Sequence, residues 1–177
     1  MIELYSNMTI IRITDNRYPK RLLDIKNPPR QLYVEGNAEL LNNKSLAIVG
    51  SRKCTSYGIK YAKEFASEIS KNNITIVSGL AIGIDTIAHQ FSKDSIGRTI
   101  AVVGCGLDKI YPKENEELFR QIVENNGCII SEYPNGTEVD TKKFPERNRI
   151  ISGISMGVLV IEAAYRSGST ITARYRI

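Results

Sequence analysis

The sequence predicts an α/β fold in which a mostly parallel sheet carries helices on both faces. Short apolar runs alternate with segments of helical length, and this alternation is typical of a parallel sheet that is buried on both sides. Each run also ends in a loop rich in small residues. In chain order, the runs lie at residues 45–49, 74–77, 99–103, 128–130 and 158–161.

The segments between the runs have the periodicity of amphipathic helices. Apolar side chains recur every three or four positions in residues 57–71, 82–91 and 114–126. Acidic residues open the last of these segments, which suits the positive end of a helix dipole. A short helix is predicted over residues 148–154, and another begins at Thr170.

Residues 1–43 differ from the rest of the chain, because proline and glycine turn signals interrupt them. Between these signals we predict a helical turn at residues 22–25 and a strand at residues 31–34. We expect a short appended segment that packs on a main domain of residues 44–177. A sheet of this kind normally continues past a helix that starts at Thr170, so either the sheet ends here or, as we expect, the main domain is incomplete at its C-terminus.

Composition and charge narrow the possible functions of the 177 residues. The apolar stretches are too short to span a bilayer, and the first residues show no secretory signal. The three cysteines lack C-x-x-C spacing, which disfavours disulfides and a zinc site and predicts a cytoplasmic protein without a metal. The net charge is +5, and residues 142–177 hold seven Lys/Arg against two Asp/Glu. This cluster favours a polyanionic partner, although a solvated basic face is the alternative.

Loops that follow parallel strands share one edge of the sheet, where open α/β sheets bind their ligands. The first run leads into Gly50, Ser51 and Arg52. Glycine lets a ligand approach the backbone, and the arginine offers a planar fork to a phosphate. The alternative is an ordinary turn with a surface arginine.

The second loop, residues 78–85, begins with Ser78 and Gly79 and ends with Asp85. Its backbone N–H groups are expected to face a phosphate, and Asp85 either caps the next helix or orients a neighbouring group. The alternative is a turn that needs its glycines for shape alone.

Aromatic and basic residues follow at two further positions. Tyr111 and Lys113 are suited to stack on a base and to meet a phosphate, which is typical of single-strand binding. Phe144 precedes the pair Arg147 and Arg149. These two arginines reach the same edge only if they lie in a loop or a first helical turn; the alternative is ordinary solvated side chains.

No set of hydrolytic residues emerges from the sequence. His89 is the single histidine and is expected to be a packing residue, so a serine triad is disfavoured. The chain has no Walker A sequence and no G-x-G-x-x-G turn after its first run. Glu162 is the one carboxylate that suits a catalytic acid, and it is equally suited to hold backbone N–H groups.

Six blocks stand in order along the chain, and together they are specific. They are Ile48-Val49-Gly50-Ser51-Arg52, Ser78-Gly79-Leu80-Ala81 with Gly83-Ile84-Asp85, Gly104-Cys105-Gly106-Leu107-Asp108 with Tyr111-Pro112-Lys113 and Asn115, Ser131-Glu132-Tyr133-Pro134, Phe144-Pro145 with Arg147-Asn148-Arg149-Ile150-Ile151, and Glu162-Ala163 with Ser167-Gly168-Ser169. The set resembles the DprA/Smf family, the DNA-processing proteins of bacterial natural transformation.

The resemblance implies an extended Rossmann-like fold that binds single-stranded DNA, with no established catalytic activity and no cofactor. It implies that Arg52 and Lys113 meet phosphates, while Arg147 and Arg149 bind DNA or stabilise the pocket. The expected DNA-binding set is Gly50, Ser51, Arg52, Ser78, Gly79, Tyr111, Lys113, Arg147 and Arg149. Family members protect incoming strands and load the RecA recombinase, so RecA is an expected partner, with a homodimer left open.

Two other hypotheses remain at this point. One is an enzyme similar to the phosphoribohydrolases, which cleave nucleoside monophosphates with a glutamate that Glu162 would supply. The other is a regulatory module that binds a small phosphate ligand without chemistry.

Overall fold

The computed structural model describes residues 8–164 and 167–175. Within them, seven strands form one sheet. The strands are β1 (Thr9–Arg12), β2 (Gln31–Gly36), β3 (Ser45–Gly50), β4 (Thr75–Ser78), β5 (Thr99–Val103), β6 (Cys128–Ser131) and β7 (Val158–Ile161). The α-helices are α1 (Ser56–Lys71), α2 (Ile84–Gln90), α3 (Glu116–Glu124), α4 (Lys143–Ile154) and α5 (Gly168–Arg174).

The strand order is β1-β2-β6-β5-β4-β3-β7, and the five strands from β6 to β7 are parallel. The predicted α/β class, the mostly parallel sheet and the five predicted strands are confirmed. β2 contains the predicted strand of residues 31–34 and pairs antiparallel with β6, Val34 lying opposite Ile130. The N-terminal strands therefore extend the same sheet, whereas a domain boundary at residue 43 stays a prediction.

Both faces of the sheet are buried, and successive side chains of one strand serve opposite faces. In β3, Ala47 and Val49 pack in the core that Ile150 of α4 joins. Ile48, between them, packs against Ala62 of α1. Helices α1, α2 and α3 cover one face, while α4 and α5 cover the other.

The winding of the chain reverses at β3, and this reversal positions the site. From β3 the chain moves outward through β4 and β5 to β6; α4 then crosses the other face and leads back to β7, on the free side of β3. In open α/β sheets, ligands bind outside the carboxyl ends of the strands at such a reversal. The loop after β3 and the end of β7 flank this position.

Most helix boundaries lie within two residues of the sequence prediction, and the largest difference is at the start of α4. α4 begins at Lys143, five residues before the predicted start, because Pro145 falls in the first turn, where no backbone N–H is needed. Lys113–Asn115 forms a 3-10 turn, and α3 begins after it. None of the helices in the described residues is long and apolar enough to cross a membrane.

Candidate nucleic-acid interface

A cleft of about 710 Å³ opens at the carboxyl edge of the sheet, between the loop after β3 and helices α4 and α5. We call it the central cleft. A narrow extension of about 50 Å³ continues from it past Phe144. The walls of the cleft and its extension bring together six residues of the predicted DNA-binding set: Gly50, Ser51, Arg52, Gly79, Tyr111 and Arg147.

Arg52 is exposed on the loop after β3, and the start of α2 holds that loop in place. The N–H of Ile84 donates to the carbonyl oxygen of Ser51 at 3.2 Å. Gly83 has a φ of 91°, and a Cβ there would lie 2.8 Å from the Cα of Arg52. Position 83 therefore requires glycine both for its backbone conformation and for this close approach.

Phe144 is the centre of an aromatic and cationic cluster. Its ring stacks with that of Tyr111, with centroids 5.9 Å apart and an angle of 26° between the planes. The guanidinium carbons of Arg52 and Arg147 lie 5.7 and 5.5 Å from the centroid of the Phe144 ring. Tyr111 keeps 42 % of its surface exposed. The cluster thus offers a ring face and a guanidinium side by side.

Phe144 was absent from the DNA-binding set predicted from the sequence. The sequence signal was present, since Phe144 precedes Pro145 at the head of the basic segment. What the sequence lacked was the contact with Tyr111, which lies 33 positions earlier in the chain.

Arg147 is buried and joins α4 to the ends of two strands. Its Nη1 donates to the carbonyl oxygens of Gly79 at 2.8 Å and Val102 at 2.6 Å. Its Nε donates to the side-chain oxygen of Asn148 at 3.1 Å. Burial lowers the pKa of the guanidinium, and the nearby Asp85 opposes that shift. These bonds give Arg147 a positioning role.

The loop of residues 78–83 is shaped by Asp85. The carboxylate accepts the N–H of Gly79 at 3.0 Å and that of Ala81 at 3.4 Å. Burial raises the pKa of Asp85, while Arg147 and these N–H groups act in the opposite direction. These two N–H groups are therefore engaged within the protein, and the expectation that the loop faces a phosphate stays a prediction. Ser78 is also fully buried, and its hydroxyl donates to the carbonyl oxygen of Ile48.

Lys113 lies near the cleft but not in its walls. It is exposed at the start of the 3-10 turn that follows Tyr111 and Pro112. In the part of the chain that the structure describes, neither Lys113 nor Arg52 makes an ion pair. Both cations are thus available to an anionic ligand.

Arg149 points to the other side of α4, into a second cleft of about 810 Å³ that we call the lateral cleft. Its Nη2 lies 2.6 Å from the Oε1 of Glu132, and its Nε donates to the carbonyl oxygen of Asn27. The two arginines diverge because positions two apart on a helix differ by about 200°. The sequence prediction allowed both to reach one edge only in a loop or first turn, and here both lie within a formed helix.

Glu162 and His89, which the sequence analysis weighed for catalysis, make contacts within the fold. Glu162, at a φ of 51°, accepts the backbone N–H of Thr55 at 2.8 Å and its hydroxyl as well. These bonds lower the pKa of Glu162, so it holds the start of α1. His89 is fully buried, its Nδ1 lies 2.7 Å from the hydroxyl of Thr99, and burial lowers its pKa to about 3. The prediction that His89 is a packing residue is confirmed.

Nothing in the described residues resembles a metal site or a disulfide. Those residues contain no group of three or more His, Cys, Asp or Glu placed to hold a metal ion. The thiols of Cys54, Cys105 and Cys128 are free, and burial raises the pKa of Cys128.

Comparison with known proteins identifies the family of this chain. The family model described as DNA recombination-mediator protein A matches residues 9–177. The chain belongs to this family. Protein Smf of Synechocystis is 45% identical to it over 165 residues, which cover 91% of this chain and 41% of that protein. The chain spans about half the length of the curated relatives it matches.

Two solved structures from the family share its fold. DNA processing protein A from Streptococcus pneumoniae aligns with a TM-score of 0.89 and 40% identity, over 98% of this chain and 61% of that chain. DNA processing protein A from Helicobacter pylori, which binds single-stranded DNA, aligns with a TM-score of 0.87 and 32% identity, over 98% and 78%. The DprA/Smf resemblance and the Rossmann-like fold expected from it are confirmed.

Proposed function

We propose that this chain binds single-stranded DNA along the carboxyl edge of its sheet, as part of a recombination mediator. The observation that carries the proposal is the cluster of Arg52, Phe144 and Tyr111, in which an unpaired guanidinium lies beside two stacked rings. Proteins that bind single strands without sequence preference combine aromatic faces for the bases with cations for the phosphates. The Helicobacter pylori relative binds single-stranded DNA, which supports the same ligand here.

The predicted site residues divide into two roles under this proposal. Arg52 and Lys113 meet phosphates, and Phe144 and Tyr111 stack on bases. The others shape the cleft: Gly50 and Ser51 form its loop, Ser78 and Gly79 fix the end of β4, Arg147 joins α4 to the sheet, and Arg149 holds α4 against Glu132.

Membership of the recombination-mediator family supports a further step, the loading of RecA onto the bound strand in the cytoplasm. A homodimer belongs to the same proposal. Loading is measured as the rate at which RecA covers a labelled single strand in the presence and absence of the chain. A faster rate with the native chain than with a variant that has lost DNA binding supports loading; equal rates contradict it.

DNA binding is tested by the fluorescence anisotropy of labelled oligo-dT over a range of salt concentrations. Arg52→Gln removes a proposed phosphate contact and should reduce the slope of log K against log salt by about 0.7. Arg12→Gln is the matched control, since Arg12 is an exposed arginine on β1 at the far end of the sheet. Equal slopes for the two variants would exclude Arg52 from the interface, and no binding by the folded native chain would overturn the proposal.

The competing enzyme hypothesis needs Glu162 as a catalytic acid. Glu162 is instead bonded to Thr55 with a lowered pKa, which favours a carboxylate that holds α1. Incubation with nucleoside monophosphates separates the two functions, because only the enzyme would release a free base. We expect no release.

A further inference from the structure

The first two turns of α1 carry aromatic and basic side chains that the proposed DNA cleft does not use, of which Tyr57, Lys60 and Lys63 are exposed and Tyr61 is half-buried. Tyr57 and Tyr61 lie one turn apart, with ring centroids 4.5 Å from each other and an angle of 52° between the planes. Tyr57 is 64 % exposed although it is a large aromatic residue. Large exposed aromatic surface on a protein commonly marks a site of interaction.

Lysines accompany these rings. The ammonium of Lys60 lies 5.4 Å from the centroid of the Tyr61 ring, and that of Lys63 lies 4.8 Å from the centroid of the ring of Phe91, which follows α2. In the described part of the chain, neither lysine makes an ion pair. We call Tyr57, Lys60, Tyr61 and Lys63 the α1 platform.

Basic residues outnumber acids around the platform. Residues 45–63 contain Arg52, Lys53, Lys60 and Lys63 and no Asp or Glu. The first acid of α1, Glu64, is exposed next to Lys63 and one turn from Lys60, while Glu68 pairs with Lys71 in the last turn. At the start of α1, the carboxylate of Glu162 accepts the N–H of Thr55, where the positive end of the α1 dipole offsets its charge. A surface of this sign favours an anionic partner.

The platform is continuous with the central cleft. Arg52 lines the cleft, Lys53 follows it in the cleft wall, and α1 begins three residues later at Ser56. Tyr57 therefore stands at the carboxyl edge of the sheet, and Tyr61 lies about 6 Å further along the helix. A strand that leaves the cleft over Lys53 meets Tyr57 next.

We propose that the α1 platform is a second contact surface for the same single-stranded DNA, in which bases stack on Tyr57 and Tyr61 while Lys60 and Lys63 meet phosphates. This inference rests on the proposed function, because it extends the path of a strand bound in the central cleft. Aromatic faces together with unpaired lysines match a single strand, whose bases are unstacked and whose phosphates are close by. A purely apolar partner would leave both ammonium groups without a counter-charge.

The chain contains no tryptophan, so a single introduced indole reports on one position. Tyr57→Trp should show fluorescence quenching when an oligo-dT of about 20 nucleotides is added, because a stacked base quenches the indole. Ile96→Trp is the control, since Ile96 is 69 % exposed in the loop before β5, at the opposite edge of the sheet. Binding of the same oligonucleotide is followed by anisotropy in each variant.

Affinity at two strand lengths gives the second arm of the test. The double substitution Tyr57→Ala and Tyr61→Ala should weaken binding of the 20-nucleotide strand by about 5- to 100-fold. It should leave a strand of about five nucleotides, which fills only the cleft, unchanged. Tyr57→Phe with Tyr61→Phe should retain affinity, because the ring faces remain. Lys60→Gln should lower the salt slope for the long strand, whereas Lys44→Gln, on the opposite edge of the sheet, should not.

The outcomes separate this inference from the function on which it rests. Normal binding of both strands without quenching at position 57 overturns the platform and leaves the cleft intact. Loss of binding to both strands in Arg52→Gln, with no effect of the tyrosine substitutions, does the same. A change in sedimentation of the tyrosine variants with unchanged DNA affinity assigns the face to contacts between copies of the chain and also overturns the inference. No binding of either strand by the native chain overturns the proposed function itself.

Discussion

The central and lateral clefts lie on opposite sides of α4, and the same short segment of sequence supplies an arginine to each. In the lateral cleft, the cations Arg21, Lys26 and Arg149 are matched by the acids Asp24, Glu132 and Glu146 among the described lining residues. The described lining of the central cleft also has three cations, Arg52, Lys53 and Arg147, but one acid, Asp85, which is buried.

This difference shows that the count of basic residues does not by itself locate an anion site. The Arg149–Glu132 pair is neutral overall and partly screened, so the lateral cleft has little excess charge to offer a phosphate. In the central cleft, Arg147 donates hydrogen bonds to two backbone carbonyls. Arg52 lies beside the Phe144 ring and makes no ion pair among the described residues. The anion site therefore follows the unpaired cation.

The largest expected effect comes from Arg147→Met. The substitution leaves the buried Asp85 without its compensating charge and two carbonyl oxygens without a donor, and should lower the free energy of unfolding by about 3–5 kcal/mol. Chemical denaturation measures it. The control is Arg149→Met, two positions along the same helix, which should cost about 1 kcal/mol or less. Equal losses of unfolding free energy in the two variants would contradict the different roles assigned to Arg147 and Arg149.

A smaller loss is expected from Gly79→Ala. The added Cβ would lie 2.9 Å from the Oδ2 of Asp85 and 3.0 Å from the Cζ of Arg147, so it separates two buried groups. Overpacking of this kind costs about 1–3 kcal/mol of unfolding free energy, measured by denaturation. The control is Gly168→Ala, because a Cβ there meets only the side-chain nitrogen of Asn148, at an ordinary 3.8 Å. If Gly79→Ala is as stable as the control, the Asp85–Arg147 arrangement can shift freely.

Phe144→Leu should affect binding more than stability. Loss of the ring face should weaken binding of oligo-dT by about 5- to 100-fold, the cost of one or two lost stacking contacts. Anisotropy measures the change, and denaturation confirms that the fold is retained. Tyr133→Leu is the counterpart in the lateral cleft and should leave affinity unchanged. The reverse pattern would place the DNA site in the lateral cleft.

The smallest effect is expected from Arg149→Gln. It breaks a partly exposed ion pair with Glu132 and should lower the free energy of unfolding by less than about 1 kcal/mol. The salt slope for oligo-dT should stay that of the native chain, since Arg149 meets no phosphate. A reduction like that of Arg52→Gln would show that DNA also reaches the lateral cleft.

Much of the fold could be predicted from the sequence, because buried parallel strands and amphipathic helices leave local periodic patterns. The place of β1 and β2 could not, since β1 pairs with β2 and the antiparallel pairing of β2 with β6 joins segments about 100 residues apart, which leaves no local signature. The early start of α4 was missed because Phe144 and Pro145 resemble a loop when the first-turn tolerance of proline is not considered.

The candidate site was predictable for residues whose place after a strand puts them at the carboxyl edge of the sheet. Gly50, Ser51 and Arg52 follow a strand, and so they had to reach the carboxyl edge. The burial of Arg147 was not predictable, because its partners are backbone carbonyls of β5 and of the loop after β4. Every residue has a backbone carbonyl, so the sequence gives no sign of which ones accept a hydrogen bond. For the same reason the sequence did not show which groups Asp85 holds, since its carboxylate accepts the backbone N–H of Gly79.

The bond between Glu162 and Thr55 can form only late in the synthesis of the chain. The two residues are 107 positions apart, so α1 receives its N-terminal carboxylate only after β7 has been synthesised. At about 5–20 residues per second, that interval is on the order of ten seconds on the ribosome. During it, β3 also lacks its neighbour β7, and the nascent chain exposes a strand edge that a chaperone can recognise.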